Sequence, residues 1–139
     1  MFVNPDSATI MKKHSFVFFG ETWLTEANHS PYDLPGKVNF AHHAIKNKTK
    51  GRPSAGQEWY GSSKYEPHFI SSSDHHLTIK FSDFTIVGVY FRPSMDMDVI
   101  ISTLIEEMDK APNKHRIIVG GDFNVHPDFE RFSEIRELL

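Results

Sequence analysis

Short apolar runs alternate along this chain with polar, turn-forming stretches, and the period of each run predicts an element. Phe16-Val17-Phe18-Phe19 is a continuous apolar run, the pattern of a buried strand, and Gly20-Glu21-Thr22-Trp23 comes off its end. Lys37-Val38-Asn39-Phe40-Ala41 alternates weakly, as a half-buried strand does. Leu77 to Phe81 and Phe84 to Phe91 flank Ser82-Asp83 and read as an antiparallel hairpin, its second strand the more buried. Arg116-Ile117-Ile118-Val119-Gly120 reads as another buried strand, cut off abruptly by Gly120-Gly121. Segment 57–70 offers two short strand candidates at best.

Three stretches carry helical signals. Asn4-Pro5 is an N-cap followed by proline at the first helical position, which predicts a short helix over about residues 5–13. Met97, Ile100, Ile101, Leu104, Ile105 and Met108 recur at the spacing of one buried stripe. Asp96 and Asp98 suit the start of that helix, Lys110 its end, and Pro112 stops it. Phe129 to Leu139 reads as a final helix with Phe132, Ile135 and Leu139 inward. Strand, helix, strand in this order implies a mixed sheet flanked by helices, within a single α/β domain spanning 1–139.

Composition narrows the chemistry. A chain of 139 residues with 39% hydrophobic content and 12 Phe can bury a real core without staples. The absence of cysteine removes disulfides, cysteine-ligated zinc and thiol nucleophiles. A formal charge of −3 argues against nucleic-acid binding by bulk electrostatics and leaves room for a local patch or a bound cation. No run is long enough for a membrane span and no signal peptide is visible, so the expected location is intracellular, nuclear or cytoplasmic.

The chemistry concentrates at strand ends. Glu21 follows one strand and Asp122 another, and in open α/β sheets that rim is where ligands gather. Two acids can converge there when their strands are neighbours, and converging acids need a cation, for which oxygen ligands favour Mg²⁺ or Mn²⁺. Taken singly, each is as readily a solvated strand-end acid. Asn124, two residues beyond Asp122, can orient a phosphate oxygen, and Tyr90 can donate a hydrogen bond to one. Tyr90 alone also suits a core position with its hydroxyl at the surface, and His126 suits an exposed turn beside Pro127.

Lys46, Lys48, Lys50 and Arg52 place four cations in a loop able to hold backbone phosphates, although such runs are as often plain solvated surface. Ser73-Asp74-His75 has the composition of an acid–base dyad but precedes a strand instead of following one. The pairs His42-His43 and His75-His76 are poor metal pairs, because adjacent residues of an extended chain point to opposite faces.

In combination these segments resemble the endonuclease/exonuclease/phosphatase superfamily, nearest to the endonuclease domains of non-LTR retrotransposons, relatives of apurinic endonucleases. Phe18-Phe19-Gly20-Glu21-Thr22-Trp23-Leu24 resembles the strand and Glu-Thr motif of that family. Gly51-Arg52-Pro53-Ser54-Ala55-Gly56 is similar to its Gly-Arg-x-Ser-Gly-Gly loop, with Ala55 standing where members have glycine. Val89-Tyr90-Phe91-Arg92-Pro93 looks like the strand whose tyrosine faces the scissile phosphate, and Ile118 to His126 resembles the Gly-Asp-Phe-Asn segment.

The resemblance implies a two-sheet α/β sandwich and a Mg²⁺- or Mn²⁺-dependent phosphodiesterase acting on DNA. By resemblance Glu21 is the metal ligand, Asp122 the acid that activates water, Asn124 the phosphate holder and Tyr90 a transition-state donor. Lys46, Lys48, Lys50, Arg52 and His126 are then the nucleic-acid contacts. The family's first strand with its metal-side Asn, and its C-terminal strands with a Ser-Asp-His segment beyond Gly-Asp-Phe-Asn, have no counterpart here. Ser73-Asp74-His75 is not expected to fill that role. The expectation is therefore a weak or inactive nuclease in isolation, unless another polypeptide covers the missing half. The alternative is a domesticated relic serving as a binding or scaffold subunit, and a phosphatase acting on a small phosphorylated substrate is a third possibility.

Overall fold

The structure is a computed structural model and describes residues 5–29, 31–46, 53–112, 115–125 and 130–139. Its strands form two sheets. β1 (Phe16–Gly20) and β2 (Lys37–His42) both pair antiparallel with the central strand β3 (Gln57–Ser62). The second sheet runs β4 (His68–Ser72), β5 (His76–Lys80), β6 (Phe84–Tyr90), β7 (Arg116–Asp122); its last pair is parallel and the others antiparallel. That is the mixed sheet expected from the order strand, helix, strand.

Alternation along the strands builds the layers. Phe16 and Phe18 of β1 point between the sheets and join Trp59, Leu77, Ile79 and Phe81 in an aromatic core. Val17 and Phe19 point the other way, onto Met11 of α1 (Pro5–Lys13) and the buried Tyr60. A run apolar at every position is what a strand covered on both faces requires. In β6, Ile86 and Phe84 serve the inter-sheet core, whereas Val87 and Val89 meet Ile100 and Leu104 of α2 (Met97–Asp109) and Ile135 of α3 (Glu130–Leu138). The result is an α/β/β/α sandwich. The sheets touch closely where Phe18 covers Gly88; a Cβ added at Gly88 would lie 2.5 Å from the ring.

Several expectations need correction. β7 is not a buried strand. It is the last strand of its sheet, so Ile117 and Ile118 are 36% and 51% exposed. Ile105 is exposed, while Glu107 on the same helix is buried. Leu138, not Leu139, packs inward at the C-terminal helix. Segment 57–70 does hold two strands, β3 and the start of β4, and the weakness of its signal belies β3, the central strand of its sheet and almost wholly buried. Among the described residues no helix is long and apolar enough to cross a membrane.

Candidate active site at one end of the sandwich

Pairing directions decide which chain ends share a rim. β6 and β7 run parallel with Tyr90 opposite Asp122, so both finish at the same end of the second sheet. β1 leaves Gly20 against Tyr90 from the facing sheet, where a Cβ on Gly20 would lie 3.2 Å from the tyrosine Cβ. Glu21 and Asp122 thus approach Tyr90 from two directions. Their strands are not neighbours in one sheet, as expected from the sequence. β1 and β7 lie in opposite sheets, and each acid reaches Tyr90 from its own sheet.

The Tyr90 phenol records this meeting. It titrates above its ordinary value, first because burial disfavours the phenolate, then through hydrogen bonding and charge from Glu21, and then through the charge of Asp122. Arg92 pulls in the opposite direction. Tyr90 is therefore a protonated donor near neutral pH, with two carboxylates around it.

The Gly-Asp-Phe-Asn turn is held by its own side chains. Asn124 N–H donates to Asp122 Oδ1 at 2.9 Å, and Asn124 Nδ2 donates to the Phe91 carbonyl at 2.7 Å. The second bond ties the turn back to the end of β6, beside Tyr90. Gly121 has φ of +141°, and a Cβ there would collide with the Val89 carbonyl oxygen, so this position takes only glycine.

Backbone strain gathers at the same end. The described non-glycine residues with positive φ are Glu21 (54°), Trp23 (55°), Ala55 (64°), Glu66 (48°) and Asn124 (48°). All but Glu66 belong to this rim. Such conformations cost on the order of 1–3 kcal/mol each and collect where geometry serves function. The φ of Ala55 also explains why glycine suits that position. Thr22 N–H and Trp23 N–H donate to the carbonyls of Gly56 and Ala55, at 3.0 and 3.1 Å, clamping the two strained segments together. Between them and β6 lies an open cleft of about 370 Å³ lined by Glu21, Trp23, Ser54, Ala55, Tyr90 and Arg92.

The base of the basic loop is closed by a two-way backbone bridge, Ile45 N–H to Ser54 carbonyl at 3.2 Å and Ser54 N–H to Ile45 carbonyl at 3.1 Å. Ser54 lines the cleft and Lys46 is exposed on the other side of the bridge. Lys48, Lys50, Arg52 and His126 lie outside the described residues.

Arg92 and the segment Ser73-Asp74-His75 also reach this rim, which the sequence did not indicate. Arg92 read as a strand terminator, yet it is among the residues that line the cleft. Ser73-Asp74-His75 was set aside because it precedes a strand. β5 is antiparallel to β6, however, so the start of β5 stands beside the end of β6, and Tyr90 N–H donates to the His75 carbonyl at 2.9 Å. The adjacent-histidine argument does hold: His42 bonds Ser72 and Asp74, whereas His43 turns to His29. Among the described residues no three His, Asp or Glu side chains are arranged to hold a metal.

Comparison with solved structures finds the same fold in the endonuclease domain of TRAS1, a telomere-specific non-LTR retrotransposon, with a TM-score of 0.56 and 16% identity. The match covers 96% of this chain and 62% of that domain, so this chain spans less than two-thirds of its structural neighbour. No protein-family model and no curated protein matches the sequence. The fold is thus an α/β sandwich of endonuclease type. At this identity the likeness concerns architecture alone.

Proposed function

We propose that this chain is a phosphodiesterase module of the endonuclease type, dependent on Mg²⁺ or Mn²⁺ and directed at DNA. The observation that carries the reading is the convergence of Glu21 and Asp122, from opposite sheets, on the phenol of Tyr90. Mg²⁺ is commonly held by one or two carboxylates together with water and substrate phosphate. Glu21, exposed at the cleft, fits the first of those ligands. When bound, such an ion polarises the phosphate and stabilises charge on the leaving oxygen.

The chain's own residues divide the remaining work. Asp122 uses Oδ1 to hold the turn, leaving its second oxygen to orient or deprotonate a water. Asn124 spends one amide proton on the Phe91 carbonyl and keeps another for a non-bridging phosphate oxygen. Tyr90, held protonated, donates to charge that grows in the transition state. The basic loop rooted at Ile45 and Ser54 offers Lys46, Lys48, Lys50 and Arg52 to the nucleic-acid backbone, and His126 lies on the segment just past Asn124.

The test is nicking of supercoiled plasmid with Mg²⁺ or Mn²⁺. Glu21→Ala and Asp122→Ala are each expected to lower the rate by about 10²–10⁴. Metal-dependent nicking that survives both changes would overturn the assignment. Among the described residues no three His, Asp or Glu side chains are grouped to hold a metal, which fits one second reading, a relic that keeps the fold as a binding or scaffold subunit. Salt-sensitive DNA association, or a stable protein partner, without nicking would support that reading.

A further inference from the structure

The chain has two tryptophans, and they are housed in opposite ways. Trp59 of β3 is 2% exposed and sits in the aromatic core between the sheets, with Phe16 and Phe81 against it. Trp23 is half-buried and belongs to none of the three apolar clusters among the described residues. It borders two hollows instead. One is the cleft with Glu21 and Tyr90; the other, of about 310 Å³, reaches Ser7 of α1 and Tyr32. A large aromatic side chain gains most from burial, so one kept outside the core calls for an explanation.

The backbone fixes that placement. Trp23 has φ of 55°, a left-handed conformation that is an outlier for a bulky residue. Its N–H donates to the Ala55 carbonyl at 3.1 Å, and the N–H of Thr22 donates to the Gly56 carbonyl at 3.0 Å. The two segments lie so close that a Cβ on Gly56 would stand 2.5 Å from Thr22 Oγ1 and 3.2 Å from the Trp23 nitrogen. A side chain carried on a main chain this confined loses little freedom when a ligand orders it. In the same cleft, Pro53 and Pro93 join Trp23 as apolar surface beside the polar Glu21, Ser54 and Tyr90. Apolar rings with a few polar groups, around about 370 Å³, make up a site for a small flat ligand.

We propose that Trp23 is a stacking platform for an unpaired nucleobase, the one carried by the nucleotide whose phosphodiester lies at Glu21 and Tyr90. The inference rests on the phosphodiesterase reading of the rim and adds a substrate class to it: a strand with a free base, in place of continuous duplex. An indole accepts any of the bases, because each presents a π-face, so the contact selects for the presence of a base and not for its identity. In intact duplex the base is stacked on its neighbours and must be pulled out. That cost is smallest where the base is mismatched or already single-stranded. A sugar–phosphate without its base offers the indole nothing to cover. Pro53 and Pro93 extend the apolar surface along the same cleft.

Tryptophan emission measured in EDTA reads the contact without turnover. A short single-stranded oligodeoxynucleotide should quench the wild-type protein. A strand of the same length built on abasic tetrahydrofuran residues should quench little and bind about 5- to 50-fold more weakly. Trp23→Phe leaves Trp59 as the sole tryptophan, so quenching should vanish, while anisotropy of a labelled strand should show that the smaller ring keeps most of the affinity. Trp23→Leu keeps an apolar side chain without a ring. It should bind the base-bearing strand as weakly as the abasic one, with abasic binding unchanged. Equal affinity of the wild type for the two strands would overturn the proposal, as would a base-bearing strand that fails to bind. An equal loss for both strands in Trp23→Leu would assign Trp23 to shaping the cleft and overturn it as well. Quenching that persists in Trp23→Phe would move the reporter to Trp59 and remove the contact. A free nucleoside monophosphate that quenches at the same concentration as the strand would overturn the strand assignment. Base-dependent quenching without metal-dependent nicking of plasmid would leave the stacking standing and remove the enzyme reading. Nicking that needs Glu21, with base-bearing and abasic strands bound alike, would do the reverse.

Discussion

Glu107 and Glu21 are both acids set against the four-stranded sheet, and the molecule treats them in opposite ways. Glu107, on α2, is 1% exposed and faces the sheet, where it meets Thr78 of β5. It accepts from Ser71 and Lys110 by short hydrogen bonds and from Thr78 Oγ1 at 2.7 Å, and His76 stands 3.1 Å away. Burial alone would raise its carboxyl, but those donors outweigh it, so Glu107 titrates below its ordinary 4.5. Glu21 sits exposed at the rim on strained backbone, near the Tyr90 phenol, Asp122 and the exposed Arg92. The difference teaches how to sort polar clusters: a carboxylate with all its donors supplied holds the fold, whereas one left short of partners awaits a ligand.

That contrast predicts a ranking. Glu107→Ala leaves Lys110, Ser71, Thr78 and His76 facing a void and should cost about 3–5 kcal/mol in urea unfolding. Glu21→Ala should stay within about 0.5 kcal/mol, as surface changes do. Asp122→Ala, which loses the turn bond to Asn124, should cost about 0.5–1.5 kcal/mol. Equal losses at Glu107 and Glu21 would break the comparison.

Acid should expose the same contrast. His76 titrates below its ordinary 6.5 because burial disfavours its cation, Glu107 opposing. The unfolded chain therefore takes a proton there before the folded one does, and stability falls as pH drops from about 6.5 toward the folded value. Glu107 adds a later loss. Its contribution is present above the unfolded value of 4.5 and fades as pH falls through the lower folded one. Urea midpoints measured against pH should thus decline in two stages, and Glu107→Gln should flatten the more acidic stage. A midpoint that rises on acidification would contradict both assignments.

The smallest effect concerns stored strain. Ala55→Gly should stabilise the protein by about 0.5–1 kcal/mol, because glycine relieves the left-handed conformation at φ 64° by more than it adds to unfolded-chain freedom. The same change at Ala44, buried and not among the positive-φ residues, should destabilise instead. Destabilisation at Ala55 would remove the claim that the rim is strained.

Much of the scaffold was legible because local periodicity reports how each element faces its neighbours. The Pro-initiated α1, the Phe-rich β1, the hairpin around Ser82-Asp83 and the α2 stripe through Ile100 and Leu104 all appear where the pattern puts them. The Gly-Asp-Phe-Asn turn and the Glu-Thr segment likewise fall at strand ends, as their short contiguous patterns indicate, and both lie beside Tyr90.

By itself, then, the sequence determined most of the segments that become strands and helices, because propensity, turn residues and apolar period act over a few positions. Only the tertiary structure decided which ends meet. Antiparallel pairing brought the start of β5 beside Tyr90, facing sheets brought Glu21 toward Asp122, and an outermost place in the sheet exposed Ile118. Those outcomes depend on strand order and on contacts between residues far apart in the chain, and no local pattern encodes them.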